Sequence, residues 1–186
     1  MSNGIRSFWI VWICLGLHMG PRAAFAQSAQ VPLELRFGSK DFPAKVEVYE
    51  PHSDVMHSIS ETRALPSRAE LPVIGKPLKF MSVTRGKHKS AVLVIENTTD
   101  KTIYFFAVPH RVDPPENVLG FHFECLCNHT VFQIPARHIW YRVVRVHLGA
   151  PPLEAPQRIE HSIIGVKPED ALGKYKDNLF RLKVGR

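Results

Sequence analysis

Apolar and polar residues alternate in short runs along most of the chain, and turn-forming residues separate the runs. Alternation with a period of two is typical of β-strands that bury one face. Strands are expected over residues 31–37, 45–50, 77–83, 90–96, 102–108, 118–128, 139–148 and 158–166. Many short strands with turns between them predict an all-β fold, an immunoglobulin-like β-sandwich.

Two segments depart from this alternation. Residues 52–72 are polar and are predicted to form a long loop with a helical turn near Ser58–Ala64. Near the C-terminus, apolar residues recur at spacings of three and four, which predicts a short amphipathic helix over 169–182. The expected organisation is N-terminal strands and a loop in 27–70, a compact domain in 71–168 and a helical tail in 169–186.

The first residues have the features of a secretory signal peptide. An apolar run over 8–17 follows a start that carries Arg6, and Ala24-Phe25-Ala26 provides a small-x-small cleavage pattern. We therefore predict that residues 1–26 are removed on export and that the protein resides in the periplasm. The run is shorter than the ~20 residues that cross a bilayer. A retained signal would leave the protein membrane-anchored and facing the periplasm.

The charge balance and the motifs restrict the function further. The whole chain has a formal net charge of +7, and removal of Arg6 and Arg22 with the signal leaves about +5. No basic run carries interleaved aromatic residues, which argues against a nucleic-acid partner. The sequence contains neither Gly-x-Ser-x-Gly nor His-Glu-x-x-His, and we predict that the protein is not an enzyme.

Cysteine usage points to one short stretch. Cys14 lies in the predicted signal, so Cys125 and Cys127 are the cysteines that an exported protein would keep. A disulfide-stapled secreted domain would have at least four. If the predicted strand 118–128 runs through this stretch, its side chains alternate between two faces. One face would then carry Phe121, Phe123, Cys125 and Cys127, and the other His122, Glu124, Leu126 and Asn128.

Two neighbouring thiols permit three interpretations. Thiolates select soft ions, and Cu(I) accepts fewer ligands than the four that zinc and iron–sulfur clusters normally take. The pair could instead form a redox disulfide, strained because strand neighbours two apart lie near the outer Cα–Cα limit of ~6.8 Å. The third interpretation is a pair of structural thiols.

A further ligand to copper would have to come from a side chain near the two cysteines. His129 falls on the cysteine face if the strand continues, which makes it a candidate auxiliary ligand to copper. The strand pattern assigns Met81 to the core. The histidines assigned to structural or surface positions are His110, His138 and His147.

Several of these features together resemble a known family. Asn97-Thr98-Thr99 follows an apolar strand, Val108-Pro109 comes next, and the Cys125-Leu126-Cys127 strand precedes Pro135. Over about residues 73–166 this resembles the CtaG-type cytochrome c oxidase assembly family, in which a strand closes in Cys-Phe-Cys-Phe. Leu126 and Asn128 stand at the two phenylalanine positions, and His122 stands where a lysine is usual.

The resemblance implies an immunoglobulin-like copper chaperone. Cys125 and Cys127 would bind Cu(I) and deliver it to the cytochrome c oxidase subunit that carries the Cu(B) site, or to another copper-handling protein. A homodimer would complete a higher sulfur coordination. The alternatives are a non-enzymatic envelope interaction domain with structural cysteines and a small thiol–disulfide redox protein. Asn97-Thr98-Thr99 and Asn128-His129-Thr130 also match the N-glycosylation pattern.

Overall fold

The computed structural model describes residues 30–52, 61–71, 74–115, 121–124, 126, 129–149, 157–180 and 182. Twelve β-strands and one short α-helix, α1 (Pro168–Leu172), account for most of this part of the chain. The strands are β1 (Gln30–Lys40), β2 (Val46–Pro51), β3 (Thr62–Leu65), β4 (Ile74–Pro77), β5 (Phe80–Thr84), β6 (His88–Glu96), β7 (Ile103–Ala107), β8 (Arg111–Asp113), β9 (Phe121–Glu124), β10 (Phe132–Ile134), β11 (Ile139–Leu148) and β12 (Gln157–Val166).

The strands form two six-stranded sheets. Sheet 1 has the order β10-β7-β12-β1-β5, with β8 also paired to β12, and sheet 2 has the order β3-β11-β6-β2-β4, with β9 also paired to β11. β1 runs parallel to β12, whereas the other pairings are antiparallel. The predicted fold class, an all-β sandwich of the immunoglobulin-like kind with a short C-terminal helix, is confirmed at this level.

The main core lies between the two sheets. Phe105 and Phe132 of sheet 1 meet Trp140 of sheet 2, with ring centroids 5.3 to 5.5 Å apart. All three side chains are fully buried. Met81 is also buried in this cluster, as its strand position predicted. Close packing of large rings in stacked and edge-to-face arrangements, which aromatic pairs prefer, stabilises the contact of the two sheets.

A second apolar cluster covers part of the outer face of sheet 2. Val92, Val94, Tyr141 and Val143 point away from the main core and pack with Leu71. The Tyr141 hydroxyl donates a hydrogen bond of 2.8 Å to Glu61. Burial, and then this hydrogen bond, raises the pKa of the Tyr141 hydroxyl. The segment that begins at Glu61 therefore shields this end of sheet 2 from solvent.

Two sequence-based expectations for the loops and the tail need correction. The helical turn expected near Ser58–Ala64 is wrong where the structure describes it, because β3 (Thr62–Leu65) pairs with β11 there. The C-terminal helix is also shorter than expected, since α1 ends at Leu172 and Gly173 follows it. Leu172 is exposed, and Leu179 instead forms a bridge with Val131. Glycine after the last helical turn is a common helix end.

The N-terminal strands belong to the same two sheets as the rest. β1 lies between β5 and β12, and β2 lies between β4 and β6. The division predicted at residue 71 is not visible in this strand pairing. The predicted signal peptide, residues 1–26, lies outside the described residues. Within the described ranges, no helix is both long and apolar enough to cross a membrane.

An ion pair on the outer face of sheet 2 predicts a loss of stability in acid. Arg68 donates to Glu47 at 2.7 Å and to the Tyr49 hydroxyl at 2.8 Å. The Arg68 hydrogen bond holds the pKa of Glu47 below its usual value. The pair therefore contributes stability above the unfolded-state pKa of about 4.3, and this is lost as pH falls through the folded-state pKa.

Urea unfolding at pH 7 and pH 3 checks this expectation. Glu47→Gln should lower the free energy of unfolding at pH 7 by at most about 1 kcal/mol, because both partners are partly exposed, and should change it little at pH 3. Glu70→Gln is the matched control, since Glu70 makes no ion pair within the described residues. A Glu47→Gln effect that is equal at both pH values would contradict the prediction.

Candidate metal site at the end of β9

The strand that leads to the cysteines is a short edge strand of sheet 2. β9 pairs with β11 so that Phe123 lies opposite Val146 and Glu124 opposite Arg145. Phe123 is buried in the main core, whereas the His122 side chain is 69% exposed. The predicted alternation of faces is therefore confirmed over these residues.

The strand ends earlier than predicted. β9 stops at Glu124, whereas the sequence pattern placed its end at Asn128. Leu126 was expected on the face opposite Phe123, but its side chain is fully buried in the same core cluster. That expectation is wrong because the chain bends at Leu126, so the alternation of a strand no longer determines the direction of the side chain.

The predicted copper ligands follow the end of β9 in the sequence. Cys125 and Cys127, with Asn128, lie outside the described residues. The sequence analysis placed both cysteines on one face by assuming a continuous strand. That assumption fails, because Leu126 is not part of a regular strand. The two thiols remain the predicted ligands on the strength of their chemistry and spacing.

His129 lies in a turn rather than in a strand. Its φ is 57°, in the left-handed region, and its side chain is exposed. Residues in this region are unusual unless they are glycine or asparagine, and they mark turns. The continuous strand that suggested His129 as an auxiliary ligand is absent here, and its role in metal binding stays a prediction.

Two histidines of sheet 1 and its adjoining loop lie against β9. The ring of His161, in β12, is 5.2 Å from the ring of Phe123 and 5.3 Å from that of His110. His110 in turn is 5.7 Å from Phe123. His161 also stacks on Phe37 at 5.3 Å. An imidazole pair therefore lines the core side of β9, two residues before Cys125.

The pair is buried to different degrees and has different surroundings. His161 is fully buried, and its Nδ1 lies 3.5 Å from the carbonyl oxygen of Val108. His110 Nδ1 is buried and makes no hydrogen bond within the described part of the chain. A buried imidazole nitrogen without a partner is costly unless a ligand satisfies it. Imidazole is also a good ligand for copper and zinc.

The burial of His161 was predictable from its position in the strand pattern, although it was not among the predictions above. His161 occupies a core-facing position of β12, between Ile159 and Ile163, which are both fully buried. A titratable side chain in such a series must be buried together with polar or aromatic neighbours. His110 gave no comparable signal, because it belongs to the connection between β7 and β8.

The described residues do not by themselves complete a metal site. No group of three or more His, Cys, Asp or Glu residues among them is spaced to hold a metal ion. Cys125 and Cys127 are not among those residues. The buried nitrogen of His110 is chemically suited to bind a metal, and the ligand set itself stays a prediction.

Asn97 has a structural role. Its side chain is buried and makes hydrogen bonds to the backbone of Lys101, Ile134 and Pro135 and to Thr99. These bonds hold the turn after β6 against the end of β10. The buried amide is unavailable as a glycosylation acceptor.

Comparison with known proteins places the chain in a family. No curated protein and no solved structure matches the chain. A protein-family model matches residues 31–166, from β1 to the end of β12. This range includes both sheets and the segment with the two cysteines. The chain belongs to the family described as "Domain of unknown function (DUF8709)".

Proposed function

We propose that the protein is an exported copper chaperone that binds Cu(I) through Cys125 and Cys127. The acceptor would be the cytochrome c oxidase subunit that carries the Cu(B) site, or another copper-handling protein. The protein would act in the periplasm, without an enzymatic activity of its own. The CtaG-type resemblance, the soft-ligand chemistry of two closely spaced thiols and the neighbouring imidazoles support the proposal.

The observation that carries the proposal is the position of Leu126. The residue between the two cysteines is fully buried in the core, while Glu124 before them is half-buried and His129 after them is exposed. The chain is thus anchored at one point within a stretch that reaches the surface on both sides. Anchoring limits the conformational entropy that metal binding must remove.

Metal transfer in this proposal is a ligand exchange. Cu(I) is the cargo and accepts low coordination numbers, so an incoming ligand of the acceptor can bind before either thiolate has left. The two thiolates are then displaced one after the other. No change in the oxidation state of the ion or of the cysteines is needed.

The experiment that tests the proposal is a Cu(I) titration against a competing chelator under reducing, anaerobic conditions. We expect the Cys125→Ser/Cys127→Ser double variant to bind Cu(I) more than about 100-fold more weakly than the wild type, since even residues around the ligands contribute 10–100-fold. Cys14→Ser in the uncleaved chain is the matched control and should leave the affinity unchanged.

The outcomes separate the proposed function from its alternatives. Equal Cu(I) affinity of wild type and double variant would end the copper proposal. If the dithiol then proved unusually oxidising, the redox interpretation would gain support. If the wild type binds Cu(I) but does not transfer it to an apo-oxidase subunit, the copper site is supported and that acceptor is excluded.

A further inference from the structure

Three histidines form a row across sheet 2. In the strand register, His88 of β6 lies opposite His147 of β11, and His147 lies opposite His122 of β9. The three residues are far apart in the sequence, and the antiparallel pairing alone brings them side by side. Directly opposed residues on neighbouring strands have Cβ atoms about 5 Å apart.

The row lies on the outer face of the sheet. Val146, Leu148 and Phe123, the neighbours of these histidines in β11 and β9, are buried in the main core. Because side chains alternate along a strand, His147 and His122 point the other way. His88 and the His122 side chain are exposed, and His147 is half-buried. An ion in solvent can therefore reach all three rings.

The His88 and His147 rings are already adjacent. Their centroids are 4.6 Å apart, and the ring planes are inclined by 32°. An imidazole nitrogen binds a first-row ion such as Zn²⁺ at about 2.0–2.1 Å, so two rings at this separation can each direct one nitrogen to a shared ion. Packing alone explains the pair poorly, because an exposed and a half-buried imidazole bury little apolar surface and repel each other when both are protonated.

His122 is within reach as a third ligand. Its Nε2 lies 3.6 Å from a carboxylate oxygen of Glu124, and its exposed side chain can rotate towards His147 without displacing the core. In the present rotamers no group of three metal-binding side chains is assembled anywhere in the described ranges. The site as it stands thus offers two imidazoles, with a third supplied by rotation.

We propose that His88 and His147, assisted by His122, form a binding site for a divalent late first-row metal ion. Imidazole nitrogens suit Cu²⁺, Ni²⁺ and Zn²⁺, and the general order of affinities makes Cu²⁺ the tightest of these. Arg145 of β11 and Glu124 of β9, which lie opposite each other in the next row, are charged residues on this face. Hard ions such as Mg²⁺ and Ca²⁺ prefer oxygen ligands and should not bind.

The proposed histidine site needs neither Cys125 nor Cys127 as a ligand. The histidine row faces outwards, whereas Phe123, Leu126 and His161 are buried between the sheets. The test therefore uses the full chain with Cys14→Ser/Cys125→Ser/Cys127→Ser, which contains no thiol that could bind or reduce Cu²⁺. Its result is independent of whether the Cu(I) proposal holds.

The experiment is a calorimetric titration of this protein with Cu²⁺, accompanied by electron paramagnetic resonance to count the coupled nitrogens. We expect one ion per chain, two or three coupled imidazole nitrogens, and a loss of affinity of at least about 10-fold in His88→Ala/His147→Ala. His122→Ala should reduce the affinity less and remove one nitrogen. His52→Ala, an exposed histidine elsewhere, is the control and should change neither quantity.

Two results would overturn the inference. One is an unchanged Cu²⁺ affinity in His88→Ala/His147→Ala, and the other is a spectrum without coupled imidazole nitrogens. If the double alanine variant proves unfolded by circular dichroism, His88→Gln/His147→Gln preserves side-chain volume and provides the same comparison. Because the sequence contains ten histidines, the coupled nitrogens are assigned to this row only if their number falls in one of these variants.

Discussion

Replacing Asn97 by alanine is expected to lower the free energy of unfolding by roughly 2 to 4 kcal/mol, because it removes the hydrogen bonds that a buried amide makes to three carbonyl groups and to Thr99. The Asn97 side chain is 1% exposed, and its Nδ2 lies 2.8, 3.1 and 2.9 Å from the carbonyl oxygens of Lys101, Ile134 and Pro135. Its Oδ1 accepts from the backbone N–H and the hydroxyl of Thr99 at 3.0 and 2.7 Å. The amide uses all of its donors and its acceptor.

Asn97→Asp is expected to be still more damaging. The carboxylate would place an acceptor oxygen against three carbonyl oxygens, in a position where burial already disfavours charge. Urea unfolding at neutral pH measures both variants. Asn178→Ala is the matched control, since Asn178 is exposed, and should change the free energy of unfolding by less than about 0.5 kcal/mol. An Asn97→Ala variant as stable as that control would show that the hydrogen-bond network does not support the fold.

The strands were largely predictable because most of them bury one face. In β12, buried and half-buried residues alternate from Gln157 to Ile164, and the sequence shows the same period of two. β11 shows the limit of this reasoning, because residues 139–144 are buried on both faces. The segment from Glu61 to Leu71 covers the outer face there, and local sequence does not reveal which distant segment will do so.

Errors arose where tertiary contacts override a local pattern. The spacing of Leu172, Tyr175 and Leu179 fits a helix, but Gly173 ends α1 and Leu179 bridges to Val131. Similarly, the run from Phe121 to Asn128 fits one strand, but the strand stops at Glu124 and Leu126 turns into the core. In the second segment Leu126 is buried, as expected of an apolar residue, although through a different backbone path, whereas in the first segment Leu172 is exposed.

The candidate sites differ in how readily they could be predicted from the sequence. Cys125 and Cys127 were found because their spacing is local and their chemistry is distinctive. The row of His88, His122 and His147 depends on the register of three strands, which the sequence pattern does not determine. The contact of His110 and His161 with Phe123 likewise requires two sheets to be packed together. Sites of this kind can be recognised only when the pairing of the strands and the packing of the sheets are known.

Replacing Leu126 by alanine is expected to destabilise the protein by about 2 to 5 kcal/mol, the usual range when a buried leucine is truncated and leaves a cavity. Leu126 is fully buried in the main core, although it stands between two residues predicted to bind metal. Urea unfolding measures the change. Leu172→Ala is the matched control, because Leu172 is 56% exposed, and it should cost less than about 0.5 kcal/mol.

The Leu126→Ala variant also tests whether the burial of Leu126 contributes to the Cu(I) affinity in addition to the two thiolate ligands. Leu126→Ala retains both thiols, so its Cu(I) affinity should fall below that of the wild type yet stay above that of the Cys125→Ser/Cys127→Ser double variant. The reason is that a chain segment released from the core must lose more conformational entropy when it binds the ion. Stability equal to that of Leu172→Ala would show that Leu126 does not anchor the segment. A large loss of stability with unchanged Cu(I) affinity would instead show that the two thiols bind copper without support from the sandwich.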